Sequence, residues 1–345
     1  MIPPAPARSS SARGLRVIAI AALSLAACMI AGVLLGTEPV SVARALEGPG
    51  LDRTILVQLR LPRVALAALS GGGLAIVGAA FQALLRNPLA EPYVLGVSGG
   101  AALGAALAIA LGLGAATFLG AALLPAAALA GGLGATLLVY GLARGARGAP
   151  DGGGGATILL AGIMLNAVAS ALITFLKTLA PPSRAQQLLR WLVGFIDLPS
   201  PAGLAAVALY VAGGCAVLCA DAARLNLLSL GDEAAEALGL DVRALTQRVF
   251  FAASCVVGAI VSLTGLIGFV GLIVPHAARR FSGPDHRRLL PLSVVAGAAL
   301  LVLCDLVARL AFRWLGTEPP VGAVTALLGG PAFLWLLRRT SRAAA

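Results

Sequence analysis

The residues that most often carry out chemistry are few in this chain, and they do not cluster. Among its 345 residues are two histidines, His276 and His286, and five cysteines inside apolar runs, Cys28, Cys215, Cys219, Cys255 and Cys304. No C-x-x-C pair and no His/Cys/carboxylate group at ligand spacing occurs, so we predict no metal site. The cysteines are expected to pack as small residues within helices.

Nucleotide and hydrolase chemistry are excluded on similar grounds. The single lysine, Lys177, is not part of a G-K-[ST] step, so the chain has no P-loop, and another chain must bind ATP if ATP drives the protein. The glycine run at 151–155 follows no strand and has no cationic partner, and we interpret it as a flexible linker. Without a Ser/His/Asp, H-E-x-x-H or paired-carboxylate arrangement in the apolar runs, we expect no enzyme activity and no cofactor bound by this chain.

The remaining candidates are charged residues near the ends of apolar runs. Arg60 and Arg63 bracket Pro62, which suits the first turn of a helix. Asp305 and Arg309 are four residues apart and share a helix face. Charged groups inside a membrane span are costly and are usually paired or functional. The pattern leaves two interpretations open: an ion pair with arginines that extend to the interface, or a cationic docking surface for an acidic partner.

The elements that position these residues are membrane-spanning helices. With 59% hydrophobic and 11% charged residues and a mean hydropathy of +0.98, the chain differs from soluble globular, disordered and nucleic-acid-binding proteins. Apolar runs of about 20 residues predict an all-α, polytopic transmembrane helical bundle. The ten predicted spans are 17–36, 61–85, 93–113, 117–142, 156–176, 202–220, 247–267, 269–281, 289–312 and 320–337. A Gly-rich step at 266–271 predicts that the eighth span is a short helix, broken from the seventh.

The positive charges set the predicted orientation. If the N-terminus is cytoplasmic, sixteen of the 25 Lys and Arg residues fall on the cytoplasmic side, which is the side they favour. We therefore predict cytoplasmic tails at 1–16 and 339–345 around a membrane domain at 17–338, with an uncleaved first helix. The nine positive charges on the other side exceed what this rule expects and need a further explanation.

A polar insert at 222–248 interrupts the apolar pattern on the predicted cytoplasmic side. Asp232 is expected to cap a short helix, and Gly239 to end it and permit a reversal toward a second short helix. The residues that favour the first turn or supply one apolar side are Glu233, Glu236, Leu238 and Leu240. The insert is either a solvated loop or a docking element, and its amphipathic pattern favours docking.

Several motifs, taken together and in order over about residues 55–338, resemble one family. In the first half they are Leu59-Arg60-Leu61-Pro62-Arg63, Arg86-Asn87-Pro88-Leu89-Ala90-Glu91-Pro92 and Leu95-Gly96-Val97-Ser98. In the second half they are Leu230-Gly231-Asp232-Glu233, Gly268-Phe269-Val270-Gly271, Val274-Pro275-His276, Asp285-His286-Arg287, Asp305-x3-Arg309 and Glu318-x-Pro320-x-Gly322. The chain thus resembles the FecCD-type permease family, the membrane subunits of bacterial ABC importers for iron–siderophore complexes, haem and cobalamin.

The resemblance implies an architecture and a set of partners. It implies a type II ABC importer permease with ten transmembrane helices per subunit, in the bacterial inner membrane. A second copy of the permease would pair around a central path. ATP-binding subunits, which hold the ATP and Mg, would attach inside, a substrate-binding protein would dock outside, and no nucleic acid would be bound.

The resemblance also implies roles for particular residues. Arg60, Arg63 and Arg309 match arginines that receive carboxylates of the binding protein, and Asn87 and Leu89 match positions near the cytoplasmic gate. The ATPase-coupling region matches Gly231, Asp232, Glu233, Glu236, Leu238, Gly239 and Leu240. One departure concerns Trp191-x-x-Gly194, which is followed by Phe195 where the family often has serine, and it leaves the cargo class open.

An ion- or proton-coupled secondary transporter is the alternative function. That class normally places ionisable residues near the membrane midplane. The clear carboxylate within a predicted span is Asp305, which lies near a span end with Arg309 beside it. The sequence therefore favours the importer permease.

Overall fold

The computed structural model describes residues 8–93, 95–113, 118–145 and 154–343, and these form an α-helical bundle without β-strands. A π-helical segment, Thr54–Arg60, joins α3 to α4. The helices are α1 (Arg8–Leu34), α2 (Val42–Glu47), α3 (Leu51–Arg53), α4 (Leu61–Leu84), α5 (Val97–Ala110), α6 (Phe118–Gly145), α7 (Gly154–Leu179), α8 (Pro182–Val193), α9 (Pro201–Ala220), α10 (Ala222–Leu228), α11 (Asp232–Ala237), α12 (Val242–Thr264), α13 (Val270–Ser282), α14 (His286–Leu315) and α15 (Val321–Ala343).

Each of the ten predicted spans falls on one helix, and the predicted polytopic bundle is confirmed. The helices concerned are α1, α4, α5, α6, α7, α9, α12, α13, α14 and α15. Within the described ranges, seven helical segments are long and apolar enough to cross a membrane. Two shorter apolar stretches, Val97–Ala110 in α5 and Val321–Phe333 in α15, supplement them.

The core is built around α4, which is buried over most of its length. A Cβ added at Gly71 of α4 would collide with the carbonyl oxygen of Gly297 on α14. In the same way, a Cβ at Gly78 would collide with the carbonyl oxygen of Gly271 on α13. Small residues let helix backbones approach closely where no hydrophobic effect drives helices together, so these glycines fix the close packing of α4.

The predicted break between the seventh and eighth spans is present at residues 265–269, between α12 and α13. Gly265 ends α12 in a left-handed conformation, with φ of 65°. The break packs against the end of α8, because the N–H of Phe195 donates to the carbonyl of Thr264 at 2.9 Å. The N–H of Gly322 in α15 donates to the carbonyl of Gly194 at 3.1 Å, so three chain segments meet there through their backbones.

Several element boundaries differ from the predicted ones. α1 begins at Arg8, within the predicted tail 1–16, and α15 continues to Ala343, within the predicted tail 339–345. α12 begins at Val242, because the side chain of Asp241 caps it by accepting from the N–H of Ala244 at 2.8 Å. The predicted linker 151–155 lies partly outside the described residues, and α7 begins at Gly154.

Candidate functional site

Arg60 is held against the C-terminal end of α1. Its side chain is almost fully buried, with 6% of the residue exposed. Its guanidinium donates to the carbonyl oxygens of Val33 at 3.2 Å and Leu34 at 2.8 Å, and also to that of Glu38. The last carbonyls of a helix have no partner within the helix, so Arg60 satisfies groups that burial would otherwise leave unbonded.

Arg309 and Arg313, on α14, complete the same helix end. Arg309 is 5% exposed and donates to the carbonyls of Gly32 at 2.9 Å and Leu35 at 3.2 Å. Arg313 donates to the carbonyl of Gly36 at 2.7 Å. Positive charge at a helix C-terminus is favourable, so these contacts fasten α1 to α14.

Two carboxylates neutralise part of this charge. Asp305 is fully buried, with its Oδ2 2.9 Å from Nε of Arg309 and its Oδ1 2.8 Å from Nη2 of Arg63. Arg63 also pairs with Glu318, which precedes α15. Arg60, Arg63, Asp305, Arg309 and Glu318 thus form one group, here called the arginine cluster.

The structure brings Arg60, Arg63 and Arg309 together and bonds all three within the chain, with Arg60 and Arg309 buried and Arg63 partly exposed. The intrahelical pair of Asp305 with Arg309 is present. Sequence reasoning did not find the main partners of Arg60 and Arg309, since these are backbone carbonyls of α1 and carry no side-chain signal.

The insert has a different character, because its α11 helix is exposed along most of its length. The expectation that Asp232 caps α11 was wrong: Gly231, with φ of 110°, is the N-cap residue and makes no side-chain cap bond. Asp232 is instead the first helical residue, and its Oδ1 lies 3.0 Å from Nη2 of Arg86. Glu233 and Glu236 are exposed, as expected for the first turns of a surface helix.

The two leucines predicted to form the apolar side of the insert lie in different environments. Leu238 is 61% exposed, whereas Leu240 is 8% exposed and packs in the main hydrophobic core. The two leucines therefore do not form one contact face. Gly239 ends α11 as predicted, with φ of 84°, but the reversal leads directly to α12. The second short helix is α10, which precedes α11 rather than following it.

The insert is tied to the bundle by polar contacts of α10. Asn226 donates from Nδ2 to Oδ1 of Asp285 at 2.6 Å, and its Oδ1 accepts from the N–H of His286 at 2.9 Å. Partial burial favours a higher pKa for Asp285. Two hydrogen bonds to the carboxylate, from Asn226 and from the N–H of Arg287, and the positive charges of Arg287 and Arg288 have the opposite effect. Together they outweigh the effect of burial and lower the pKa of Asp285 below its ordinary value. These contacts join α10 to the start of α14.

The α4–α5 loop, residues 85–96, connects to the insert through Arg86. Asn87 accepts with Oδ1 from the N–H of Leu89 at 2.9 Å, which folds the loop back on itself. Leu89 is exposed. The predicted gate residues thus lie directly beside the ion pair of Arg86 with Asp232.

Glu91 lies in the same loop. It belongs to one of the family motifs, but the sequence predicted no role for it. Its carboxylate accepts a hydrogen bond from the backbone N–H of Phe269, the N-cap residue of α13. Burial raises the pKa of Glu91 to about 7, against a lowering by that hydrogen bond. Asn166 of α7 donates to the carbonyl of Tyr93, so the loop contacts α7 as well as α13.

Phe195, which follows Gly194 where the family often has serine, lines a cavity of about 280 Å³ between α6, α8 and the end of α12. The guanidinium carbon of Arg190 stands 5.0 Å from the centre of the Phe195 ring. Nη2 of Arg190 lies 3.1 Å from Oδ1 of Asp197. In the part of the chain that the structure describes, no group of three or more His, Cys, Asp or Glu residues could hold a metal ion.

Comparisons with known proteins agree with this architecture. Residues 23–339 match the FecCD transport family. The chain is 40% identical over 341 residues to the cobalamin import system permease protein BtuC of Halobacterium salinarum, covering 94% of this chain and 89% of that protein. It is 38% identical over 285 residues to the hemin transport system permease protein HmuU of Yersinia pestis, covering 83% of each.

A solved structure gives the same result. An inward-facing structure described as a metal-chelate type ABC transporter superposes with a TM-score of 0.82 at 29% identity, covering 94% of this chain and 99% of that one. The family match begins further toward the N-terminus than the motifs, which start near residue 55. The chain is a multi-pass membrane protein and belongs to the FecCD transport family.

Proposed function

We propose that this chain is the transmembrane permease subunit of an ATP-driven ABC importer for cobalamin, haem or another metal chelate. The family match and the two transport relatives support this class of cargo. The structural observation that carries the proposal is the ion pair of Arg86 with Asp232, at 3.0 Å, because it joins an exposed surface helix to the α4–α5 loop.

In this proposal, the exposed side of α11 is the contact for ATP-binding subunits. Glu233, Glu236 and Leu238 are exposed there and leave an acidic surface with one apolar side chain. Movement of α11 would reach Asn87 and Leu89 through Arg86, and would reach α14 through Asn226. ATP and Mg are held by the partner chains, and this chain carries out no covalent chemistry.

The arginine cluster marks the face proposed for the binding protein. Arg63 and Glu318 are its partly exposed members, with side-chain exposures of 18% and 29%. Arg60 and Arg309 meet a carboxylate of the partner only after their bonds to α1 are released. Arg60→Glu with Arg63→Glu should weaken association with the binding protein and also lower the melting temperature, because both arginines are bonded within the chain. The affinity is therefore measured on variant protein that elutes as folded material and at a temperature below its melting point. Undiminished affinity would remove the docking role.

The proposed orientation places the insert in the cytoplasm of a bacterial cell and the arginine cluster outside the inner membrane. Both chain termini are then cytoplasmic, and two permease copies enclose the path. In a protein without native cysteines, a cysteine at position 234 should react only from the cytoplasmic side. A cysteine at position 52 should react only from the outer side. The opposite labelling would overturn this orientation.

The alternative of an ion-coupled transporter is less well supported by the geometry. Such a transporter needs a carboxylate that can gain and lose a proton. Asp305 pairs with Arg63 through one carboxylate oxygen and with Arg309 through the other, so neither oxygen is open to a transported ion.

The decisive experiment is transport into liposomes that contain this chain together with its ATP-binding partner. Cyanocobalamin, haemin and a ferric siderophore would be offered singly with the matching binding protein, with ATP or a non-hydrolysable analogue inside. We expect ATP-dependent accumulation of one of the three. Accumulation that needs an ion gradient and no ATP-binding subunit would establish the alternative instead.

A further inference from the structure

An apolar groove of about 500 Å³ runs along the outside of the bundle between α1, α13 and α14. Large side chains along it are left uncovered by the residues that the structure describes, notably Ile20 at 66% and Phe281 at 67% exposure. Its walls are formed by Val17, Ile20, Ala21, Ser24, Ile273, Val274, Ala277, Ala278, Phe281, Leu292, Ala296, Ala299 and Leu300. The groove therefore needs an apolar occupant from outside the chain.

The two ends of the groove differ in charge. Arg16 directly precedes Val17, and Arg280 directly precedes Phe281; both arginines are exposed. Val17 packs against the small core cluster that contains Ala278, so the arginine-bearing ends of α1 and α13 lie together. Arg280 also shares a helix face with Ile273 and Ala277, at the i, i+4, i+7 spacing. The opposite end of the groove, at Ser24 and Leu300, carries no charged lining residue.

The dimensions of the groove match one leaflet of a bilayer. From Val17 to Ser24, α1 rises about 10 Å, and from Leu292 to Leu300, α14 rises about 12 Å. The hydrocarbon half of a bilayer is about 15 Å thick. A groove of this depth, with cations at one end, therefore extends from the headgroup region toward the membrane centre.

We infer that the groove binds an anionic phospholipid, with an acyl chain along α1, α13 and α14 and the phosphate at Arg16 and Arg280. Guanidinium groups present a fork of donors that matches phosphate oxygens. Basic sites between transmembrane helices are suited to anionic lipid headgroups. This inference requires only that the chain spans a membrane, and it holds whatever cargo the protein carries.

A helix of a second copy is a less suitable occupant on grounds of charge, because the groove is flanked by exposed arginines at one end. An acyl chain is thinner than a helix, and the arginines at the groove end have no function in a helix contact.

The test is lipid binding to the purified full-length chain after delipidation in detergent, measured by native mass spectrometry. Phosphatidylglycerol and phosphatidylcholine with identical acyl chains would be titrated separately. We expect tighter binding of phosphatidylglycerol, and a weakening of about fivefold for each arginine removed in Arg16→Gln and Arg280→Gln. Binding of phosphatidylcholine, whose choline cation offsets the charge of its phosphate, should weaken less. Arg243→Gln, which removes an exposed arginine outside the groove, is the matched control and should leave both affinities unchanged.

A second variant tests the apolar part of the site without changing charge. Ala277→Trp should fill the groove and reduce binding of both lipids, while thermal melting and size-exclusion elution confirm the fold. Equal affinity for the two lipids in the unmodified chain, or an undiminished preference in the double arginine variant, would overturn the inference. So would displacement of the lipid by millimolar inorganic phosphate alone, which would indicate a simple anion site. Loss of a dimer in Ala277→Trp without loss of lipid would assign the groove to a second copy.

Discussion

The arginine cluster and the insert are both rich in charge, yet the chain uses the charge in opposite ways. In the cluster, three guanidinium groups are bonded within the chain to carbonyls of α1 and to two carboxylates. In the insert, the acidic residues of α11 are exposed on the protein surface, and one of them forms an ion pair with Arg86. The cluster therefore contributes to the fold, and the insert has the exposed surface that we propose as the contact for a partner.

The largest effect on stability is expected at the centre of the arginine cluster. Asp305→Ala leaves the buried Arg309 and the partly exposed Arg63 without their shared carboxylate, and breaking a buried ion pair costs about 3–5 kcal/mol. We expect a large fall in thermal stability in detergent. Asp52→Ala, which removes the partner of the exposed Arg44, is the control and should cost about 0–1 kcal/mol. Equal effects of the two variants would mean that the cluster is not structural.

The two leucines of the insert are expected to act differently. Leu240 lies in the core and should affect the stability of the fold, whereas Leu238 is exposed and should affect the contact with the partner. Leu240→Asp places a charge in the main core and should lower stability by about 3 kcal/mol or more. Leu238→Asp changes an exposed side chain, so the melting temperature should hold while co-purification of the ATP-binding subunit is lost. If Leu238→Asp retains the full complex, the proposed contact surface on α11 is wrong.

Much of this organisation could be predicted from the sequence. Ten apolar runs predict the positions of ten of the helices, and a Gly-rich step predicts the break after α12, because bilayer thickness and backbone hydrogen bonding fix what a span requires. The close contacts that the structure shows at Gly71 and Gly78 are consistent with the general tendency of small residues to pack helices in lipid. Local patterns and membrane physics agree for these features.

The burial of particular side chains could not be predicted. Arg60 and Arg309 bind backbone carbonyls of α1, and every residue has a carbonyl, so no residue type signals the contact. A six-residue helix such as α11 has too few turns for its pattern to define which leucine meets the core. The role of Glu91 could not be predicted because its partner is the backbone N–H of Phe269. That N–H is available only because the break between α12 and α13 creates a new helix start there.

Glu91 gives a pH-dependent prediction of intermediate size at the loop beside the insert. Burial raises the pKa of Glu91 from 4.5 to about 7, so the folded state binds a proton more tightly than the unfolded state. Stability should then be greatest below the unfolded pKa of 4.5 and fall as pH rises through about 7. Each pKa unit corresponds to one kcal/mol or slightly more, so the free energy of unfolding should fall by at most about 3 kcal/mol over this pH range.

Glu91→Gln keeps an oxygen acceptor for the N–H of Phe269 but cannot ionise, so it should abolish this pH dependence. Melting temperatures at pH 5 and pH 8 measure the effect, and the variant should exceed the unmodified chain at pH 8. Glu91→Ala, which has no acceptor, distinguishes loss of the hydrogen bond from loss of the charge. An unchanged difference between pH 5 and pH 8 in Glu91→Gln would assign the titration to another group.

The smallest expected effect on stability belongs to the ion pair of Arg86 with Asp232, and it is the sharpest test of how the insert acts. Both side chains are about half exposed, so the pair contributes about 0–1 kcal/mol, and single variants should melt almost normally. Arg86→Asp should place two acidic side chains together and uncouple ATP hydrolysis from transport. Arg86→Asp combined with Asp232→Arg reverses both charges and should restore the coupling. The double variant rebuilds the ion pair with its charges exchanged, whereas each single variant changes the local charge and breaks the pair. Restored coupling in the double variant would therefore show that the contact itself transmits movement. If the double variant remains uncoupled while the ATP-binding subunit still binds, movement of α11 reaches the bundle through Asn226 and α14 instead.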